Sequence, residues 1–292
     1  MLYTLENGDL RVQVSDLGAE WQSVVSKRDG TEYLWHGDGA YWNRRAPLLF
    51  PICGRLTGGE YTLGGKTYRM GTHGFARDRV WTVVSQSAVE IRLRLDADDR
   101  SREMFPFDFT LEAAYRLSGN TLEAAVTVGA PGAEPLSFGL GGHPGFMAPL
   151  TAGETFEDYR LEFGDAPVRP VRIGINAAGY LEGADEPFPL TDDRTLPLKR
   201  DLFLRDGIFL RGSGHTVTMI SGRSGRGVTL DYPDVPYLGI WQPIGEPPFL
   251  CLEPWAGLPA VADTVDDWAT KRAHQTVAPG EERTFRYAVT CF

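Results

Sequence analysis

Two residue types suited to acid–base chemistry stand where apolar or glycine-rich segments of this chain end. Glu253 follows the apolar run Phe249–Leu252, and Pro254 and Trp255 come directly after it. Apolar surroundings raise the pKa of a carboxyl group, which makes a glutamate a useful proton carrier near neutral pH. An imidazole such as that of His143 titrates in the same range. A solvated glutamate at a strand end is the alternative interpretation of Glu253.

His143 is surrounded by glycines. Positions 139, 141, 142 and 145 are all Gly. Missing side chains let a ligand approach the backbone closely, so this segment is typical of a binding site. A tight loop in which His143 only caps a turn is the alternative.

Four further polar side chains are candidates for substrate binding. His73 and Arg77 lie four residues apart in one short segment, so both can point into one cleft. Arg55 lies in an apolar context, where a structural ion pair is the alternative. Asp206 lies between apolar pieces, where a solvated turn acid is the alternative. A metal site made of His73, His143 and one carboxylate stays open, because the ligands come from separate segments. We predict no metal and no cofactor.

The amino-acid composition limits the classes of molecule that the protein is expected to bind. The chain has 292 residues and a formal net charge of −10. Without a basic surplus, nucleic acid and anionic membranes are not expected partners. Three cysteines, without zinc spacing and without a signal peptide, favour reduced thiols in a cytoplasmic protein. No apolar run is long enough to span a bilayer.

Short strands with frequent turn signals must position these residues. Hairpins are predicted over residues 2–14 and 58–69, around Asn7-Gly8 and Gly64-Gly65. Further strands are predicted at 80–85, 89–96, 109–117, 121–129 and 283–292. The strand that begins at Phe249 should stop at Glu253, because Pro254 cannot donate to a sheet ladder. Residues 150–200 are predicted as loops and a hairpin, with short strands at best. The pattern indicates an all-β antiparallel sandwich or barrel with few short helices, and one domain over 1–292.

Five blocks in order resemble the aldose 1-epimerase (galactose mutarotase) superfamily, specifically its shorter LacX-like branch. They are Phe50-Pro-Ile-Cys-Gly-Arg-Leu56, His73-Gly-Phe-Ala-Arg77, Gly141-Gly-His-Pro-Gly-Phe146, Ile240-Trp-Gln-Pro243 and Cys251-Leu-Glu-Pro-Trp255. The resemblance implies a β-supersandwich whose large antiparallel sheets form a cleft for a pyranose.

The resemblance also implies roles for individual residues. Glu253 matches the general base that takes the proton of the anomeric hydroxyl, and His143 the general acid that protonates the ring oxygen. His73 and Arg55 match sugar-binding residues. Asp206 falls roughly at a substrate-binding aspartate, and Arg77 belongs to a block shared with hexose-6-phosphate mutarotases.

The chemistry of anomer interconversion suits these residue types. A base and an acid open the ring, the C1–C2 bond rotates, and the ring closes on the other face of the carbonyl. Trp241, Trp255 and Phe75 can pack on the apolar face of the sugar, with ordinary core packing as the alternative. The expected partner is a small aldose bound by a monomer or homodimer.

Three alternatives to an aldose mutarotase stay open. The histidine block Thr-His-Gly-Phe-Ala is shorter than that of the long galactose mutarotases, so a phosphorylated hexose is one alternative substrate. A sugar-binding module without catalysis is the second. The third is a glycosidase, which needs two carboxylates across the bond.

Overall fold

The computed structural model describes residues 1–164 and 167–292, and strands dominate this part of the chain. In chain order the strands are β1 (Leu2–Glu6), β2 (Leu10–Ser15), β3 (Trp21–Ser26), β4 (Leu48–Leu49), β5 (Glu60–Leu63), β6 (Lys66–Arg69), β7 (Thr82–Gln86), β8 (Glu90–Asp96), β9 (Thr110–Ser118), β10 (Thr121–Gly129), β11 (Leu136–Phe138), β12 (Leu140–Gly142), β13 (Gly145–Met147), β14 (Tyr159–Phe163), β15 (Val171–Arg172), β16 (Glu186–Pro187), β17 (Thr195–Pro197), β18 (Ile208–Arg211), β19 (Thr216–Ser221), β20 (Gly227–Asp231), β21 (Tyr237–Trp241), β22 (Phe249–Ala256), β23 (Asp266–Asp267), β24 (Gln275–Val277) and β25 (Glu282–Cys291).

Two large sheets form the body of the protein. The nine-stranded sheet has the order β17-β14-β19-β20-β25-β10-β9-β8-β7. The eight-stranded sheet has the order β16-β15-β18-β21-β22-β12-β4, and β13 also pairs with β22. Smaller sheets are β1-β2-β3, β11-β24 and β23-β5-β6. Neighbouring strands in both large sheets run antiparallel, as the sequence predicted.

Helices are short. The one α-helix in the described ranges, α1 (Asp99–Met104), has six residues and begins with a capping box between Asp98 and Ser101. Short 3-10 turns are found at Thr57–Gly59, Ala76–Asp78, Phe156–Asp158, Arg200–Phe203 and Trp268–Thr270. Within residues 1–164 and 167–292, no helix has the length and apolar character that a membrane crossing requires.

The core follows from the period-2 alternation of the long strands. In β9 every second residue is buried, from Leu111 to Leu117, and the residues between them are more exposed. β10 and β25 alternate in the same way, which gives the nine-stranded sheet one inward apolar face. β22 differs, because all eight of its residues are buried. This strand is therefore covered on both faces and forms a rigid support for side chains.

The prediction that the strand stops at Glu253 is wrong, because β22 continues through Pro254 to Ala256. The N–H of Leu252 donates to the carbonyl of Pro144, so the backbone nitrogen of Pro254, two residues on, faces the same side. On that side the β13 ladder ends at Cys251 and the β12 ladder begins at Trp255. The missing N–H of Pro254 falls in the gap, so it costs no ladder bond.

Both predicted hairpins are confirmed as the pairs β1–β2 and β5–β6. The stretch 150–200 contains more sheet than predicted, since β14 lies inside the nine-stranded sheet between β17 and β19. Two residues of that predicted loop region, 165 and 166, lie outside the described residues.

Candidate active site

One cavity of about 270 Å³ brings most of the candidate residues together. It opens beside β22, and eight of the nine predicted site residues line it. The lining consists of Trp42, Gly54, Arg55, Thr72, His73, Arg77, His143, Ile175, Gly179, Asp206, Phe209, Trp241, Glu253, Trp255 and Pro259.

Glu253 projects from the middle of β22. Its register partner on β21 is Gly239, which leaves room beside the carboxylate. Glu253 is 1% exposed, and neither carboxylate oxygen has a hydrogen-bond partner among the described residues. Burial raises the pKa of Glu253 well above its usual value, and the nearby charge of Asp206 acts in the same direction. Burial therefore favours the protonated, uncharged form of this carboxyl group.

His143 is placed next to Glu253 by β12 and β13, which follow one another along β22 and are both antiparallel to it. Both strands pair with β22, and His143 lies in the connection between them. Its Nε2 is 3.2 Å from Oε2 of Glu253. Burial lowers the pKa of His143 to about 3, so the imidazole is neutral at physiological pH.

The glycines around His143 serve packing. A Cβ at Gly141 would lie 2.8 Å from the Trp255 ring, and one at Gly142 would lie 3.0 Å from the Tyr287 ring. Side chains at these positions would push β12 away from its neighbours. The glycines thus let β12 and the connection that carries His143 stay close to β22.

His73 presents a defined hydrogen-bond donor to the cavity. Its Nδ1 accepts the backbone N–H of Gly54 at 3.1 Å, so the neutral ring carries its proton on Nε2. Burial lowers the pKa of His73 well below its usual value, and the neighbouring His143 adds to this shift. His73 also has a φ of +64°, a backbone strain of the kind that occurs at functional sites.

Asp206 and the two arginines supply the charged part of the lining. Asp206 accepts a 2.9 Å hydrogen bond from the indole N–H of Trp241, and its φ is +79°. Arg55 approaches it across Gly179: a Cβ there would lie 3.4 Å from Oδ2 of Asp206 and 3.5 Å from Nε of Arg55. Arg77 donates to the carbonyl of Thr72 at 2.7 Å.

Trp42 is a wall residue that the sequence interpretation did not select. Its ring stacks on His143 with a centroid distance of 4.7 Å and lies edge-on to Trp241 at 5.7 Å. The indole N–H of Trp35 donates to the Trp42 carbonyl at 2.8 Å and fixes the loop. The only sequence signal was the aromatic pair Tyr41-Trp42, which does not reveal its neighbour in space.

Phe75, predicted to contact sugar, lies in the apolar core instead. It is 5% exposed and packs against Phe50, Phe105 and Phe109. The reason is local: the Gly74 backbone lies against the Phe50 carbonyl, and the next side chain points inward.

Fold and cavity together define a class of protein: an all-β protein whose cavity joins a buried carboxyl group, two neutral imidazoles and aromatic walls. Such a cavity suits proton transfer on a polar, uncharged ring with apolar faces.

Comparisons with known proteins agree with this class. The family model described as aldose 1-epimerase matches residues 1–290. The LacX protein of Lactococcus lactis is 34% identical over 267 residues, which cover 88% of each chain. A galactose mutarotase related enzyme from Lactobacillus acidophilus superposes with a TM-score of 0.95 at 34% identity, over 100% of this chain and 97% of that one. For a galactose mutarotase-like protein from Lactobacillus casei the TM-score is 0.94 at 34% identity, over 100% of both chains.

The chain belongs to the aldose 1-epimerase family. It is an isomerase of the mutarotase type with a galactose mutarotase-like fold.

Proposed function

We propose that the protein interconverts the α- and β-anomers of a hexopyranose, with Glu253 as general base and His143 as general acid. The observation that carries this proposal is the 3.2 Å contact between the two side chains inside the cavity. A single proton on the pair is enough for the whole reaction, because ring closure reverses the two proton transfers that open the ring.

The empty site and the sugar complex hold this proton in different places. In the empty cavity burial favours the uncharged form, with the proton on Glu253 and His143 neutral. A bound sugar donates its anomeric O1–H to the carboxylate, and such a hydrogen bond favours the ionised form. The proton then passes to His143 across their contact.

Ring opening and closure follow from this starting point. Glu253 takes the O1 proton while the His143 imidazolium gives its proton to the ring oxygen, and the C1–O5 bond breaks. The C1–C2 bond rotates in the open-chain aldehyde. His143 then takes the proton of the O5 hydroxyl, Glu253 returns its proton to O1, and the ring closes as the other anomer.

The remaining polar lining holds the sugar hydroxyls in this proposal. His73 offers the Nε2–H donor, and Asp206 offers acceptor oxygens oriented by Trp241. Arg55 and Arg77 donate to hydroxyls on the open side. Trp42, Trp241 and Trp255 cover the apolar ring faces.

A hexose 6-phosphate is the second candidate substrate. Arg55 and Arg77 both line the cavity, and guanidinium groups bind phosphate well. The free hexose is the first choice, because Arg77 already donates to the Thr72 carbonyl.

Polarimetry of Glu253→Gln tests the proposal. Freshly dissolved α-D-glucose, α-D-galactose and α-D-glucose 6-phosphate are followed with and without protein. We expect wild type to accelerate at least one of them and Glu253→Gln to lower kcat/KM by about 10²- to 10⁴-fold, the usual contribution of a general acid–base group. Glutamine keeps the shape of the protonated carboxyl group, so the cavity should remain folded.

Glu154→Gln is the matched control. Glu154 is also a buried glutamate, but it accepts hydrogen bonds from Tyr159 and Ser221 outside the cavity. It should retain wild-type rates. Glu253→Gln with wild-type rates would contradict the assignment of the base, and a wild type that binds sugar without acceleration would indicate a module without catalysis.

A further inference from the structure

A thiol that the proposed reaction does not use lies beside the acid–base pair. Cys251 precedes Glu253 by two positions in β22, so both side chains project from the same face of the strand. Among residues 1–164 and 167–292, one group of three possible metal-ligand side chains comes together: His143, Cys251 and Glu253. Their ligand atoms all lie within 4.8 Å of one another, and all three residues are buried.

The carboxylate of Glu253 lies 3.2 Å from Nε2 of His143 but has no hydrogen-bond partner in the described part of the chain. It is 1% exposed, and no described residue forms a hydrogen bond to either oxygen. A buried carboxylate without a partner is costly in its charged form. A cation held by the neighbouring nitrogen and sulfur would supply the missing interaction.

We propose that His143, Cys251 and Glu253 form a binding site for a borderline-soft divalent cation such as Zn²⁺, and that the bound cation inhibits the protein. One imidazole nitrogen, one thiolate sulfur and one carboxylate oxygen are the three ligand types that Zn²⁺ uses in proteins. Magnesium and calcium prefer all-oxygen sites, so the sulfur selects against them.

The geometry is close to what Zn²⁺ requires. Ligand atoms on one tetrahedral Zn²⁺ are about 3.3 to 3.8 Å apart, given the usual bond lengths. The His143–Glu253 contact of 3.2 Å already meets this spacing. The most distant pair of atoms, which lies within 4.8 Å, has to close by about 1 Å, a change within reach of side-chain rotation.

Binding would remove both proton carriers at once. The cation occupies the lone pair of the neutral imidazole, and the Glu253 carboxyl group and the Cys251 thiol each release one proton to solvent as they bind it. The fourth coordination position faces the cavity through His143 and Glu253, both of which line it. The site itself is independent of the proposed function, and only the inhibition rests on it.

Cobalt titration tests the site without any activity measurement. Protein treated with EDTA and dialysed is titrated with Co²⁺, which adopts zinc geometry and gives an intense ultraviolet band when a thiolate binds it. We expect a single Co²⁺ per chain with this band, and its displacement by Zn²⁺. All three cysteines are buried, so adventitious binding to surface histidines or carboxylates would lack the band.

Two cysteine variants locate the site. Cys251→Ser should lose the band and weaken Zn²⁺ binding by at least about tenfold. Cys291→Ser is the matched control, because Cys291 is equally buried but lies in β25 of the other large sheet, and it should keep the band. Mutarotation by wild type and Cys291→Ser should be inhibited by Zn²⁺ at similar concentrations, each measured against the same protein in EDTA.

Either of two results would overturn the proposal. One is wild type without a thiolate band at Co²⁺ saturation, and the other is a band that persists in Cys251→Ser. If Cys251→Ser fails to fold, Glu253→Gln takes its place, since loss of the carboxylate ligand should also weaken Co²⁺ binding. A protein that binds Co²⁺ as expected but accelerates no sugar leaves the metal site standing and rejects the function instead.

Discussion

At the scale of single residues, the site depends on two buried groups whose pKa values are shifted in opposite directions. Burial raises the pKa of Glu253 and lowers that of His143 to about 3. The uncharged pair has the protonation state that the open-chain sugar requires in the proposed mechanism. Without substrate, the pair thus already has the protonation state of the open-chain intermediate. Binding of the cyclic sugar must therefore shift the proton from Glu253 to His143.

This arrangement predicts an unusual pH profile. A free imidazole takes up a proton near pH 6.5. The pair of Glu253 and His143 already carries one proton, and His143 should not take up a second one until about pH 3. On the alkaline side activity should fall only when the shared proton is lost, above the usual pKa of a glutamate. We therefore expect no loss of kcat/KM on acidification through pH 6.5, where an exposed imidazole would gain its proton.

Polarimetry in buffers of constant ionic strength measures this profile, with the uncatalysed rate subtracted at each pH. His73 does not complicate it, because burial keeps that ring neutral as well. A loss of half the activity on acidification through pH 6.5 would show that the general acid titrates as an exposed histidine.

Much of the residue-scale assignment was accessible from sequence, for a physical reason. Glu253, His143, His73, Arg55, Arg77, Asp206 and Trp241 are polar or aromatic residues in apolar or glycine-rich segments, and the structure brings all seven to one cavity. Their individual roles remain predictions. Trp42 and Phe75 show the limit of this reasoning. The side on which an aromatic ring packs depends on contacts distant in sequence, which local pattern does not encode.

At the scale of elements, β22 and the strands beside it set the geometry of the pair. β12 and β13 both pair with β22 and hold His143, while β21 places Gly239 opposite Glu253. A Cβ at Gly239 would lie 3.1 Å from Cβ of Glu253 and 3.1 Å from the Phe209 ring. This glycine therefore makes space for both Glu253, the proposed base, and the cavity-wall residue Phe209.

Gly239→Ala should displace Glu253 by a few tenths of an ångström. We expect kcat/KM to fall about 10-fold or more, because small misplacements of catalytic groups have large effects on rate. The melting temperature should fall by a few degrees, since extra atoms in a packed region cost about 1–3 kcal/mol. Polarimetry and thermal unfolding measure the two effects.

Gly8→Ala is the comparison variant. A Cβ at Gly8 meets no atom within 4 Å, so both rate and melting temperature should stay close to wild type. Wild-type activity in Gly239→Ala would mean that the position of Glu253 tolerates the shift, and that β21 does not determine it.

Sequence patterns identified the elements but not all of their ends. Alternation correctly predicted β8 and β25, where one face is buried and the other is not. β22 has no alternation because both faces are buried, so its end was inferred from Pro254 alone. The inference failed because the cost of a proline depends on which neighbouring strand faces its nitrogen, and that is a property of the sheet.

At the scale of the whole molecule, several buried titratable groups link folding to pH. Burial lowers the pKa of His73, His143 and His274, so each takes up a proton on unfolding below pH 6.5. Glu253 has the opposite sign: its raised pKa means that it releases a proton on unfolding above pH 4.5. Between pH 4.5 and 6.5 the three histidines together take up about three protons on unfolding, and Glu253 releases one. The net uptake is therefore about two protons.

The free energy of unfolding should consequently decrease as the pH falls from 6.5 to 4.5, at on the order of 3 kcal/mol per pH unit. Urea denaturation at several pH values measures the slope. His274→Asn should reduce this slope by the contribution of about one proton, since the half-buried His274 lies beside Trp268, outside the cavity. The same substitution at the exposed His215 is the control and should leave the slope unchanged. A free energy of unfolding that stays constant between about pH 6.5 and 4.5 would contradict the expectation.

The all-β architecture was predicted correctly because many short strands with closely spaced turns have few other ways to bury a core. The order of strands in the sheets was not predicted, because pairings such as β10 with β25 join segments far apart in the chain. The boundary of a single domain over 1–292 stays a prediction, although one family model spans residues 1–290.

The division of the cavity between strand and loops has a consequence for evolution. Glu253 stands on a fully buried strand, whereas Trp42, Gly179 and Asp206 lie in connections between strands. Loops accept substitutions and insertions that buried strands do not. A descendant of this chain can therefore adopt a different sugar by exchanging loop residues, while the chemistry is inherited unchanged from the strand.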